Sequence, residues 1–226
     1  MKYFVFFLFG IFGICRGYAG DYVKYVRQMY PVETGINCLM DFRFGEIALK
    51  QWEKDSILVE ASFRVKDVEE WEKENLAEHL GFRLDAWSDV WKLYLEIASG
   101  FSREGDLKAE INVWVPRRIT LDVMNRFGNI HLSEYHAELP LSLTVVYGNI
   151  QVDSVSSQPD AELFFNVSYG KLEIRNCEKA NVRSAYSSVG VKSARFLQIK
   201  AEKSYISLWN TDTIIGQGEF NNYDIR

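Results

Sequence analysis

From position 121 onward the chain repeats one arrangement of hydrophobic and polar residues: an aromatic, a small residue, any residue, an aliphatic, any residue, an aliphatic. It occurs as FGNIHL from Phe127, YGNIQV from Tyr147, YGKLEI from Tyr169, YSSVGV from Tyr186, KSYISL from Lys203 and FNNYDI from Phe220. The starts lie 20, 22, 17, 17 and 17 residues apart, a period that belongs to stacked repeat architectures.

The register extends beyond these six residues. Six positions before each start stand Leu121, Leu141, Leu163, Ala180, Leu197 and Ile214, and three positions after it stand Ile130, Ile150, Leu172, Val189, Ile206 and Tyr223. The columns four before (Val123, Leu143, Phe165, Val182, Ile199, Gly216) and five after (Leu132, Val152, Ile174, Val191, Leu208, Ile225) are nearly as apolar. Within each strand these positions differ by two, so their side chains share one face. Two short strands per turn, stacked in parallel about 4.8 Å apart, make a single-stranded parallel β-solenoid, mainly all-β. Parallel crossovers are right-handed in the great majority of cases, so a right-handed β-helix is expected. The small residue after each aromatic, Gly128, Gly148, Gly170, Ser187, Ser204 or Asn221, suits a bend with unusual φ or no room for a side chain. Lys203 breaks the aromatic column, and Gly216 and Gly218 weaken the last rungs.

One earlier copy, FGEIAL from Phe44, is preceded by Cys38, Met40 and Phe42 and followed by Ile57, Val59, Ala61 and Phe63, which repeat the incoming strand. Residues 64–120 then leave the pattern and become charged and tryptophan-rich. Val68, Trp71, Leu76, His79 and Leu80 fall near one face of a helix beginning after Asp67, which Gly81 can end. Phe82, Leu84 and Ala86, then Trp91, Leu93, Leu95 and Ile97, then Ile111, Val113 and Val115 before Pro116 read as three strands. This small helix-containing α+β insertion near the N-terminal end is expected to cap the solenoid, whose terminal rung otherwise exposes core and backbone. The organisation expected is a signal peptide over 1–19, first solenoid strands over 20–63, the insertion over 64–120 and solenoid repeats over 121–226.

The N-terminus differs from both. Lys2, an apolar run from Phe4 to Ile14, and Gly17 and Ala19 match a secretory signal peptide cleaved after Ala19. It is too short for a stable span, and no later segment is apolar enough to cross a bilayer. A lipoprotein anchor at Cys15 is disfavoured by the bulky Ile14 before it. Removing residues 1–19 leaves 24 basic and 31 acidic residues, a charge that argues against nucleic acid and supplies no polybasic patch for anionic lipid.

The two remaining cysteines fall in different columns. Cys38 stands six before its aromatic and Cys177 eight after, with Tyr135, Val155, Ala194 and Thr211. Three rungs separate them by roughly 14 Å, beyond disulfide reach, so both are expected as buried free thiols.

The register leaves little for chemistry. His131 and His136 have no zinc-site spacing, and His131 faces outward with Gln151 and Glu173. The outward columns lack paired carboxylates apart from Glu202 and Glu219, so no glycosidase pair is expected. GxSxG, HExxH, GxGxxG and P-loop motifs are absent. No catalytic residue, cofactor or metal is therefore assigned, and the chain is expected not to be an enzyme. Asp55-Ser56-Ile57, Asp153-Ser154-Val155 and Asp212-Thr213-Ile214 match an envelope O-glycosylation tripeptide, for which coincidence in a strand-rich chain is the favoured reading; Asn166-Val167-Ser168 matches an N-glycosylation one, but Val167 is in the inward register and modification is not expected.

The runs INVWVP, LDVMNRFGNIHL, LSLTVVYGNIQV, LFFNVSYGKLEI and NVRSAYSSVGV resemble the DUF4097-type adhesin-like β-strand repeat proteins of the bacterial cell envelope, from about residue 36 to the end. The resemblance implies an exported, non-enzymatic β-solenoid in the periplasm or on the outer surface. Its partner would be an unknown protein or glycan held by the solenoid faces, or a second copy at an open C-terminal edge. The alternative is a glycan-binding or glycan-active β-helix using Trp71, Trp87, Trp91 and Trp114 of the insertion.

Overall fold

The computed structural model describes residues 20–68, 70–97 and 107–226; the expected signal peptide and its cleavage point at Ala19 lie outside them. The chain begins with β1 (Tyr22–Pro31), β2 (Asn37–Gln51), β3 (Ser56–Val65) and one helix, α1 (Glu70–His79). There follow β4 (Gly81–Trp87), β5 (Val90–Glu96), β6 (Leu107–Val115), β7 (Thr120–Ala137), β8 (Leu141–Val146), β9 (Asn149–Ser157) and β10 (Leu163–Ser168). The last coils are β11 (Lys171–Ala185), β12 (Ser188–Val191), β13 (Ala194–Glu202), β14 (Tyr205–Leu208), β15 (Thr211–Glu219) and β16 (Asn222–Ile225).

The strands stack in parallel into a β-solenoid of about five turns. Each turn has a first strand of about six residues, a bend at the aromatic, and a second strand of about four. The first-strand ladder pairs Leu121 with Leu141, Leu141 with Leu163, Ala180 with Leu197, and Leu197 with Ile214. The second-strand ladder pairs Ile130 with Ile150, Ile150 with Leu172, Leu172 with Val189, and Val189 with Ile206. A third, shorter strip aligns Tyr135, Val155, Cys177, Ala194 and Thr211. Except for Ile214 and Thr211, all these side chains are buried, so equal columns form one continuous apolar core. Cys38 and Cys177 are buried free thiols, and burial pushes both up to about 12, which keeps the unreactive thiol form at neutral pH.

The N-terminal end departs from the expected organisation in two ways. Ile57, Val59, Ala61 and Phe63 are buried as expected, yet β3 runs antiparallel between β1 and β6, so it closes the second-strand sheet instead of adding a rung. Conversely, β5 and β6 of the insertion do form a rung: Leu93 pairs in parallel with Met40, and Ile111 with Ile47. The fixed offset hides this rung, because Met40 and Ile47 are 7 residues apart whereas Leu93 and Ile111 are 18 apart. The β4–β5 hairpin extends the first-strand sheet.

The helix completes the closure. Val68, Leu76, Leu80 and Phe82 enter the core, where the Phe82 ring meets Phe63 at 5.7 Å and Phe42 at 6.0 Å. Lys24 of β1 donates to the Ala77 carbonyl, pinning α1 to the sheet beside it. Thus the insertion supplies both a rung and a lid.

The aromatic bend has two geometries. At the first copies the glycine takes positive φ, 114° at Gly45 and 145° at Gly128. Farther along, the aromatic or its replacement does so: Tyr147, Tyr169, Tyr186, Lys203 and Phe220 have φ between 47° and 58°. Glycine is still required at two of those bends, since a Cβ at Gly148 would lie 1.9 Å from the Gly128 oxygen and one at Gly170 1.7 Å from the Gly148 oxygen. Where serine replaces it, the hydroxyl is buried and bonded: Ser187 donates to the Ala185 carbonyl (2.7 Å) and Ser204 to the Glu202 carbonyl (2.8 Å).

Candidate functional site

Two exposed features flank the short second strand, one at each of its ends. The first is the aromatic bend. Phe127, Tyr147, Tyr169 and Tyr186 stack with ring centroids 5.6, 5.0 and 5.1 Å apart and planes within 14° of parallel, and each is about half exposed. Stacking covers ring faces and presents ring edges and tyrosine hydroxyls to solvent. Lys203, the apparent break in this column, continues it: its Nζ sits 5.0 Å from the Tyr186 ring centre and donates to the Tyr186 hydroxyl at 3.0 Å. That hydrogen bond raises the lysine above its ordinary value. The result is a stacked ridge of three tyrosines and a phenylalanine, followed on the next rung by a fixed cation.

The second feature lies past the other end of the strand, where two consecutive outward columns bend the chain. One column contributes Asp153, Arg175 and Lys192, and the next Ser154, Asn176, Ser193 and Asn210, with Glu134 at one end. Together they line an open groove of about 380 Å³ in which every lining side chain is polar or charged. Asp153 organises it. Its Oδ2 lies 2.9 Å from His131 Nε2, its Oδ1 3.1 Å from the Arg175 guanidinium Nη1 and 3.3 Å from Gln151 Nε2. The His131 hydrogen bond, followed by that of Gln151, holds the carboxyl below its ordinary value. His131 is thus a partner of Asp153 on the next rung as well as a surface residue beside Gln151. Lys192 has no ion-pair partner among the described residues.

Other candidates from the sequence are dispersed. Trp87 and Trp91 sit on the β4–β5 hairpin, Trp87 exposed and Trp91 packed against the core. Trp114 is in β6, in the other sheet, 6.4 Å from Trp52 with Lys50 over its ring at 4.8 Å. Trp71 belongs to α1, but its side chain lies outside the described part, as does that of His79. The four are therefore spread over two sheets and a helix. His136 bonds Ser156 at 2.8 Å, and Glu202 stands opposite Glu219 on adjacent rungs. Among the described residues no His, Cys, Asp and Glu side chains group as a metal site, and no helix is long and apolar enough to cross a membrane.

No family model and no curated protein sequence matches the chain. Solved structures similar to it include two described as putative adhesins. The Bacteroides fragilis protein is 10% identical, covering 90% of this chain and 97% of its own at a TM-score of 0.46. The Parabacteroides merdae protein is 11% identical, covering 93% and 98% at 0.44. A putative cell adhesion protein from Clostridium sporogenes is 13% identical, covering 90% and 100% at 0.40.

Proposed function

We propose that this chain is an exported, non-enzymatic protein of the bacterial cell envelope, an adhesin or scaffold that holds a protein or glycan partner against its solenoid surface. The observation that carries this reading is the aromatic ridge. Four large rings remain about half exposed and stacked in one row on the outside of the solenoid, while Tyr135 and Phe165 of the same rungs are sealed in the core. Exposed rows of tyrosine supply rigid contact area with little side-chain entropy to lose, the chemistry favoured at recognition surfaces. The solenoid holds that row in register, because each ring stacks on the one a rung away.

A second contact surface in this reading is formed by Ile215, Phe220, Tyr223 and Ile225, which are exposed on and beside β15 and β16.

Fractionation of producing cells, combined with protease treatment of intact cells, tests location: an envelope or surface pool is expected, and a purely cytoplasmic pool overturns the proposal. Binding of the purified protein to whole cells tests the ridge. Tyr147→Ser with Tyr169→Ser should reduce it about tenfold, the scale of a lost pair of interface aromatics; undiminished binding by a folded variant removes the ridge from the proposal.

A further inference from the structure

We infer that the polar groove beyond the second strand is a binding site for a linear, carboxylate-bearing polysaccharide. It lies at the far end of the second strand from the aromatic ridge, and the inference does not depend on what the ridge does.

The shape comes from the repeat. Residues one rung apart supply each step of the groove, from Glu134 through Ser154, Asn176 and Ser193 to Asn210, so it runs parallel to the solenoid axis. Four steps of about 4.8 Å make a trough of about 19 Å. An extended sugar chain advances by a similar distance per residue, and the groove offers it a similar environment at each step.

The chemistry separates the possible occupants. An acyl chain or apolar peptide finds no apolar lining side chain. A polyhydroxylated ligand finds an alternation of amides, hydroxyls and charged groups, each able to donate or accept. The charges then narrow the class. Arg175 commits one guanidinium nitrogen to Asp153 at 3.1 Å, which fixes its direction and leaves further N–H groups for a ligand. Lys192, in the same column one rung on, is exposed and carries no ion pair among the described residues. Two cations on successive rungs, the second unneutralised, complement carboxylates spaced along a uronic-acid chain. Glu134 and Asp153 accept from sugar hydroxyls, Asp153 through lone pairs left by His131, Gln151 and Arg175.

Calorimetric titration with an oligogalacturonate, and with an uncharged dextran oligomer of equal length, tests the inference on the chain from residue 20 onward. The oligogalacturonate should bind and the dextran bind at least tenfold more weakly. Lys192→Gln should weaken the uronate about tenfold, the scale of one charge-assisted hydrogen bond, and Asn176→Ala should weaken it by a smaller factor. Both residues are exposed, so the melting temperature should be unchanged. No uronate binding, equal binding of dextran, or affinity indifferent to Lys192→Gln in the folded variant each overturns it. Tyr147→Ser with Tyr169→Ser should leave uronate binding intact, so failure of the ridge and failure of the groove are read separately.

Discussion

In the β7 rung, Leu121, Ile130 and Leu132 are sealed to 1% exposure or less; in the rung of β15 and β16 the same columns hold Ile214, half-buried, and Tyr223 and Ile225, 44% and 59% exposed. The alternation is the same and the pairing is in register at both. What differs is the number of neighbours. The β7 rung lies between β2 on one side and β8 and β9 on the other, and beyond β2 the core continues to the lid of Leu76 and Leu80. A solenoid rung is buried by the rungs next to it more than by its own sequence, so identical patterns carry different energies according to place.

The largest expected effect sets the two places directly against each other. Leu172, with 0% exposure, lies midway along the second-strand ladder; Leu172→Asp buries a charge with no partner, which should cost more than about 4 kcal/mol and unfold adjacent rungs. Ile225→Asp, the same chemical change at an exposed position, should shift stability by no more than about 0.5 kcal/mol. Urea unfolding of both variants decides it. Equal losses would mean that the last rung is packed as tightly as the middle.

Glycines offer a subtler version of the same contrast. Gly148→Ala drives a methyl into the Gly128 carbonyl, 1.9 Å away on the preceding rung, and backbone cannot step aside as a side chain can; a loss of about 3 kcal/mol is expected. At Gly216 the added Cβ meets only Ile199 Cγ2 at 3.8 Å, an ordinary contact, and φ is not positive. There Gly216→Ala should stabilise by about 0.5 kcal/mol, by restricting the unfolded chain. Thermal melts of the two variants should therefore move in opposite directions, and a fall in both would show the last coil to be as crowded as the middle one.

Much of this contrast was legible in the sequence, and the limits have physical causes. The columns through Leu121, Val123, Ile130 and Leu132 could be read because equal offsets place like residues in contact at every rung. The antiparallel course of β3 could not, since a strand alternates with period two whichever way it runs. The rung made by β5 and β6 was hidden by the longer connection between them. Of the two reasons expected for the small residue at the bend, unusual φ applies at Gly45 and Gly128, whereas at Gly148 and Gly170 it is lack of room beside a carbonyl, and the positive φ moves to the preceding tyrosine. Lys203 looked like a break because a cation and a ring differ in type, although an ammonium can cap the face of a tyrosine. The groove had a visible signal. Asp153, Arg175 and Lys192 occupy one outward column, six after the aromatic, but the bend that opens the column into a trough is set by two consecutive outward residues and not by any motif. His131 was legible only as an outward residue, because its partner Asp153 is 22 residues away on the next rung.

The smallest expected effect belongs to that partner, on a middle rung where even the outer surface is organised by neighbours. His131, Gln151 and Arg175 stabilise the charged form of Asp153, and its carboxyl is held below its ordinary value of 3.8. A group whose pKa is depressed by folding contributes stability at pH above its unfolded value and loses it as pH falls through the folded one. Wild type should therefore exceed Asp153→Asn in stability near neutral pH, and the gap should close as pH falls below about 4. Urea midpoints measured from pH 3 to 7 for the two proteins check this. A gap for Asp153→Asn that stays constant across this range would mean that its hydrogen bonds do not favour the carboxylate over the acid, and the cross-rung network would then contribute geometry to the groove without charge-dependent stability.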